Sequence, residues 1–159
     1  MKALIVSDTH GRDYNLALAL EKHPDTTLMI HLGDLCGLED YIEKMTGIPC
    51  FCVKGNNDYR SSLPDESVIM IGKYRCFITH GHHYGVYYGT HILKEHAMAV
   101  DCKIAMYGHT HIPEIDDSGD IMVINPGSLT YPRQPGRKPS FIVAKTDEND
   151  NVSFEIEYL

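Results

Sequence analysis

The chain has 159 residues, 43% of them hydrophobic, and a formal net charge of -8. That length suits one domain with a full core, and the apolar content excludes disorder. The acidic balance argues against a surface that holds nucleic acid or anionic lipid, since those partners reward clustered Lys and Arg, but a site for a single phosphate stays open because bound cations invert the local potential.

Ala3 to Val6 is wholly apolar, the mark of a strand covered on both faces. Tyr14 to Lys22 predicts a helix that Pro24 stops. Thr27 to Leu32 predicts a second strand, ending at Gly33-Asp34. Leu38 to Met45 predicts a helix with Ile42 and Met45 inward, and Cys50 to Val53 a third strand ending at Gly55-Asn56-Asn57-Asp58. This βαβαβ order implies a parallel sheet with right-handed crossovers. Val68 to Ile71 and Arg75 to Thr79 then flank Gly72-Lys73 as a hairpin. Tyr87 to Val100 predicts one longer helix, and Lys103 to Tyr107 a strand leading into Gly108-His109-Thr110-His111. Asp116 to Asp120 is a polar turn between two β runs, the second being Ile121 to Ile124. Ser140 to Lys145 and Val152 to Tyr158 form a terminal hairpin. Pro126 to Pro139 is the one irregular stretch, and with no linker or repeat the chain is expected to be a single domain over residues 1–159.

The five cysteines, Cys36, Cys50, Cys52, Cys76 and Cys102, are an odd set with no C-x-x-C pair. They read as reduced, structural residues of a cytoplasmic protein. The N-terminal apolar run is too short for a signal segment, and no stretch could span a bilayer, so no membrane attachment is expected.

Seven residues of metal-ligand type sit just beyond strand-like runs: Asp8, His10, Asp34, Asn56, His80, His109 and His111. Strand ends in an α/β protein converge on one edge of the sheet, so residues far apart in sequence can meet there. Three oxygen donors and four imidazoles exceed the needs of one ion and suit two divalent ions sharing a carboxylate. Each motif alone has a bland reading. An Asp before a helix is often an N-cap, and Gly-Asp or Gly-Asn often just turns. The two histidine groups, Thr79-His80-Gly81-His82-His83 and Gly108-His109-Thr110-His111, are harder to dismiss, since adjacent glycine lets the backbone approach an ion.

Taken in order, Asp8-x-His10, Gly33-Asp34, Gly55-Asn56-x-Asp58, His80-Gly81-His82 and Gly108-His109-x-His111 resemble the five motifs of the calcineurin-like metallophosphoesterases. The likeness is to the small YfcE-type phosphodiesterases, and Ile124-Asn125-Pro126-Gly127-Ser128 matches a further signature of that group. The resemblance implies an α/β (α+β) fold, a four-layer αββα sandwich of two mixed β-sheets flanked by helices. It implies Asp8, His10, Asp34 and His111 on one ion, and Asp34, Asn56, His80 and His109 on the other, with Asp34 bridging. It implies a phosphodiesterase that attacks with a hydroxide shared by two divalent ions, without a protein nucleophile. Manganese is the first expectation, with Ni, Co, Fe or Zn as alternatives.

One departure matters. Larger relatives carry a histidine after the asparagine, thought to protonate the leaving oxygen, whereas here Asn57 has no titratable proton. His82, spare in its turn, is expected to fill that role in part, so Asp34, Asn56 and His82 are the catalytic candidates. Asp58 is expected to orient a ligand from behind. Ser128, Tyr131 and Arg133 read as a solvated loop, with phosphate contact as the alternative, and Tyr84, Tyr87 and Tyr88 as helix-start packing or a substrate mouth. The expected partner is a small phosphate ester rather than a nucleic-acid polymer, with a homo-oligomer (dimer or tetramer) through exposed apolar positions of the terminal hairpin. A phosphomonoesterase also fits. Two further classes share the fold. A non-catalytic scaffold such as the retromer subunit has an eroded ligand set, and a nuclease carries added domains and basic tracks that this chain lacks.

Overall fold

The computed structural model describes residues 1–159 apart from the side chains of Asp40, Glu43 and Met45, so the inward placement expected of Met45 lies outside the described residues. The elements run β1 (Lys2–Val6), α1 (Tyr14–Lys22), β2 (Leu28–His31), α2 (Glu39–Thr46), β3 (Cys50–Cys52), β4 (Glu66–Ile71) and β5 (Tyr74–Thr79). Two short 3-10 turns, His82–Tyr84 and Val86–Tyr88, precede α3 (His91–Ala99). β6 (Ile104–Met106), β7 (Pro113–Asp116), β8 (Met122–Pro126), β9 (Ser140–Thr146) and β10 (Val152–Tyr158) complete the chain.

Two five-stranded sheets result, ordered β10-β9-β1-β2-β3 and β4-β5-β6-β8-β7. β1, β2 and β3 are parallel, as the βαβαβ order requires, and antiparallel β9 makes that sheet mixed. In the other sheet β5, β6 and β8 are parallel between antiparallel β4 and β7. The period-2 alternation of a strand decides the layers. Ala3 and Ile5 join Ile30, Ile78, Met106 and Ile124 in a core shared by both sheets. Their neighbours Leu4 and Val6 face the other way, into a cluster with Leu16 and Ala19 of α1 and Ile42 of α2. On the far side Phe77 and Ala105 pack against Leu93 and Ala97 of α3. Three apolar interfaces separate four layers, the αββα sandwich expected. Each fully buried Leu or Ile contributes roughly 1.5–3 kcal/mol.

One expectation is corrected. The single helix expected from Tyr87 to Val100 is broken, because Gly89 (φ 124°) takes a backbone conformation that no helix continues through. Only His91–Ala99 is α-helical, and Tyr87 is turned out of it. In the terminal hairpin Phe154 and Ile156 pack partly buried against the core between the sheets, while Tyr158 is exposed. Among the described residues, no helix is long and apolar enough to cross a membrane.

Candidate metal centre

The carboxyl ends of β1, β2 and β3 in one sheet and of β5 and β6 in the other meet at one edge of the sandwich. Backbone hydrogen bonds hold the turns together: Asp8 N to Gly33 O at 3.0 Å, His10 N to Asp34 O at 2.9 Å, and Gly108 N to His80 O at 3.1 Å. Asp8, Asp34 and His80 are each exposed by no more than 1%, and His111 by 4%. His10 and His109 are half-buried at the rim.

The candidate ligand atoms converge. Asp8 Oδ1 lies 3.0 Å from His111 Nε2, 3.8 Å from His10 Nε2 and 4.0 Å from His80 Nε2. Asp34 Oδ2 lies 3.7 Å from His10 Nε2 and 3.6 Å from His80 Nε2, touching one imidazole from each implied set. His80 Nε2 is 3.2 Å from Asn56 Oδ1, and the His80 and His109 rings sit 5.0 Å apart. The structure therefore brings all seven candidates together. The donor set also fits divalent ions on a local observation: Asp8 Oδ1 and His10 Nε2 are buried and accept or donate no well-formed hydrogen bond. Buried polar atoms left so cost about 1–3 kcal/mol each, which a cation between them would offset.

The imidazoles are pre-aimed. His80 Nδ1–H donates to Leu32 O at 2.6 Å and His111 Nδ1–H to Tyr131 O at 2.7 Å, so the Nε2 atom of each faces the cluster. Electrostatics agree with a charge-poor pocket. Burial pushes His10 and His109 below the ordinary imidazole value, with Asp34 and Asp8 opposing. Burial would lift the Asp8 carboxyl, but His111 and His80 outweigh it and hold it low. Burial would lower His111, and Asp8 outweighs it and raises His111.

The backbone is strained at the same place. Asp8, His10, Asp34, His109 and His111 all have φ between 47° and 68°, the left-handed region that side chains with a Cβ rarely adopt. Glycine serves the neighbours rather than an ion directly. A Cβ on Gly55 would meet Asp34 Oδ1 at 2.1 Å, and one on Gly108 would meet Ser7 Oγ at 2.0 Å. Asp58 accepts from Leu35 N (3.2 Å), Cys36 N (2.7 Å) and Gly55 N (2.8 Å), bracing the turns that carry Asp34 and Asn56.

Several working contacts carried no sequence signal of their role. Asn57, notable in the sequence only for a missing histidine, holds Asp34 twice, through its N–H to Oδ1 at 2.8 Å and its Nδ2 to Oδ2 at 2.6 Å. Asn125 donates to Gly108 O at 2.9 Å, and Ser128 to Asp8 O at 2.9 Å, which gives the Asn-Pro-Gly-Ser signature its job. Tyr131 and Arg133 are exposed, as a solvated loop would be, and with Tyr87 they also line a cavity of about 160 Å³ over the candidate ligands. Tyr87 donates to His109 O at 2.9 Å and accepts from Arg133 Nη1. Tyr84 is buried against Glu66 and Tyr88 is exposed, so neither lines that cavity. Cys36 is exposed, its Sγ 3.9 Å from His10 Nδ1, rather than buried as a structural thiol. His82 sits behind the rim, its ring 5.4 Å from His80 and 6.1 Å from His109. Burial and the adjacent imidazoles of His83, His80 and His109 push it down to about 4.

The sequence matches the calcineurin-like phosphoesterase superfamily domain over residues 1–149, and the chain belongs to that family of metal-dependent phosphoesterases. It is 32% identical over 151 residues to the probable metallophosphoesterase YsnB of Bacillus subtilis, covering 94% of this chain and 86% of that one. It is 31% identical over 144 residues to the phosphodiesterase MJ0936 of Methanocaldococcus jannaschii, covering 80% and 83%. The fold is similar to wild-type Vps29 complexed with zinc from Entamoeba histolytica, with a TM-score of 0.77, 25% identity and 99% of each chain covered.

Proposed function

We propose that this chain, as one domain over residues 1–159, is a cytoplasmic phosphodiesterase acting on a small phosphate ester at a dinuclear centre. The observation that carries this reading is the convergence of Asp8, His10, Asp34, Asn56, His80, His109 and His111 on one buried point, where His10 Nε2 has no hydrogen-bond partner. Asp8, His10, Asp34 and His111 would hold one ion, and Asp34, Asn56, His80 and His109 the other. When bound, two divalent ions, manganese in our reading with Ni, Co, Fe or Zn as alternatives, lower the pKa of a shared water and screen phosphoryl charge. The rest falls to the chain's own groups. His80 and His111 are fixed in the tautomer that presents Nε2 by their backbone acceptors. Asn57 orients the Asp34 carboxylate, and Arg133, braced by Tyr87, offers a guanidinium to a non-bridging phosphoryl oxygen. His82 remains the proposed source of the leaving-group proton, a role that its lowered value of about 4 confines to the acidic side of neutrality. His82→Ala should then slow alkyl diesters more than nitrophenyl ones, and equal losses on both would remove it from the scheme.

The likeness to the phosphodiesterase MJ0936 favours a diester over a monoester. The likeness to Vps29 favours a second reading, a non-catalytic protein-binding scaffold, against which stands a ligand set filled at every position. A single panel separates the three: bis-nitrophenyl phosphate against nitrophenyl phosphate, with each metal added to dialysed protein. Diester preference that vanishes with chelator is expected. Monoester preference would replace the phosphodiesterase with a phosphomonoesterase, and undiminished turnover in excess chelator would end the metal-dependent reading.

A further inference from the structure

The cavity over the candidate ligands, about 160 Å³, has room for a phosphoryl group and a few waters at about 30 Å³ each, but not for a nucleoside. A second cavity of about 600 Å³ adjoins it and shares Asn57 as a wall. That volume lies within the range of small-molecule sites, roughly 300–1,000 Å³. It is lined by Cys36, Gly37, Glu39 and the loop from Asn57 to Leu63.

The wall chemistry is specific. Tyr59 is 85% exposed and lines this cavity, an aromatic face open to a ligand. Arg60 has no carboxylate partner among the described residues, in a chain of net charge -8. Ser61 and Ser62 add hydroxyls beside them. Both rims are held by one buried carboxylate, since Asp58 accepts from Cys36 N on one rim and Gly55 N at the root of the other, and Ser61 N donates to Asp58 O at 3.1 Å. The cleft is therefore set before any ligand arrives, which lowers the ordering cost of binding.

We propose that this second cavity receives one ester arm of the substrate and that the arm is a nucleoside bearing a second phosphate, its base stacked on Tyr59 and its phosphate on Arg60. This rests on the phosphodiesterase reading and narrows it to nucleotide diesters. Tyrosine stacks on any base face, and a guanidinium pairs bidentately with phosphate oxygens. Glu39 shares the wall, so the gain from the second phosphate is expected to be smaller than the gain from the base.

The test uses three p-nitrophenyl diesters with the same leaving group: the methyl ester, the thymidine 5′ ester, and the thymidine 5′ ester carrying a 3′-phosphate. In the wild-type protein kcat/KM is expected to rise about tenfold with the nucleoside and a further three-fold or so with the added phosphate. Tyr59→Ala should abolish the first rise and Arg60→Gln the second, both leaving the methyl ester unchanged. Equal rates on all three esters, or variants that slow all three alike, would overturn the subsite while leaving the phosphodiesterase standing. No turnover of any ester with any divalent metal would overturn that underlying reading and the subsite with it.

Discussion

Between the two sheets Ala3, Ile5, Ile30, Ile78 and Ile124 are buried among apolar neighbours, on strands whose ladders leave the backbone relaxed. A few residues further along the same strands, Asp8, Asp34 and His80 are as deeply buried, two of them left-handed, and they face one another. The first region is locally consistent at every level. The second combines strained dihedrals, buried charge and orphaned donor atoms, and it persists only because the first over-determines it. Stability and chemistry are thus divided along the length of each strand.

Substitutions should separate the two regions cleanly. Asp34→Asn keeps the shape but removes the carboxylate that touches His10 and His80. We expect kcat/KM to fall by about 10³-fold, a loss on the scale of removing a principal transition-state contact, and the stability of chelator-treated protein, read from its urea midpoint, to fall only by about 1–3 kcal/mol, for the one Asn57 donor left facing the new amide. Ile30→Ala does the reverse. Ile30 is fully buried in the core between the sheets, so a cost of about 2–5 kcal/mol should appear as a lowered midpoint. Turnover by the folded fraction should be unaltered. If Asp34→Asn unfolds the chain, or Ile30→Ala slows folded enzyme tenfold, the division drawn above is wrong.

A group just inside the boundary gives a smaller, pH-dependent effect. His31 ends β2 fully buried, its Nε2 3.0 Å from Thr9 Oγ1 and its Nδ1 without a partner. Burial pushes it down to about 4. The unfolded chain takes up a proton near pH 6.5 that the folded chain refuses, so the stability His31 contributes is present above pH 6.5 and lost as pH falls toward 4. His111 runs oppositely: Asp8 raises it, so its contribution is present below pH 6.5 and lost as pH rises through the raised value. His31→Gln should flatten the acid limb by about 2 kcal/mol between pH 6.5 and 5, read from urea midpoints in chelator. An unchanged slope would place the acid sensitivity in the other buried imidazoles.

How much of this was legible in the sequence follows the same boundary. The unbroken apolar run from Ala3 to Val6 and the helical spacing of Tyr14 to Lys22 declare themselves locally, and both elements form where the pattern puts them. The candidate ligands were legible because strand ends must converge, so position after an apolar run carried the information. What did not show were contacts made by groups with ordinary sequence contexts. Nothing near Asn57 says that its amide will reach Asp34, and the helical pattern through Tyr87 concealed the break that Gly89, at positive φ, imposes. Arg133 lies in a Pro/Gly-rich stretch whose composition predicts solvent, while its backbone N–H donates to His111 O at 3.0 Å and pins it to the site.

Tyr87 supplies the finest test, because that helix break is what frees it. Its hydroxyl donates to His109 O at 2.9 Å and receives Arg133 Nη1, linking a candidate ligand's backbone to the arginine that lines the smaller cavity. Phenylalanine would keep the ring, which lies 4.8 Å from the His109 ring, and lose only the hydroxyl. If Arg133 binds the phosphoryl group, releasing it should raise KM a few-fold at nearly constant kcat, since one hydrogen bond to a charged but exposed group is worth about 1 kcal/mol. Arg133→Ala should raise KM further, and adding Tyr87→Phe to it should then do nothing, because the tyrosine would have no guanidinium left to hold. Additive losses in the double variant would mean that Tyr87 acts on His109 alone. Arg133 would then return to the solvated loop that its sequence context suggests.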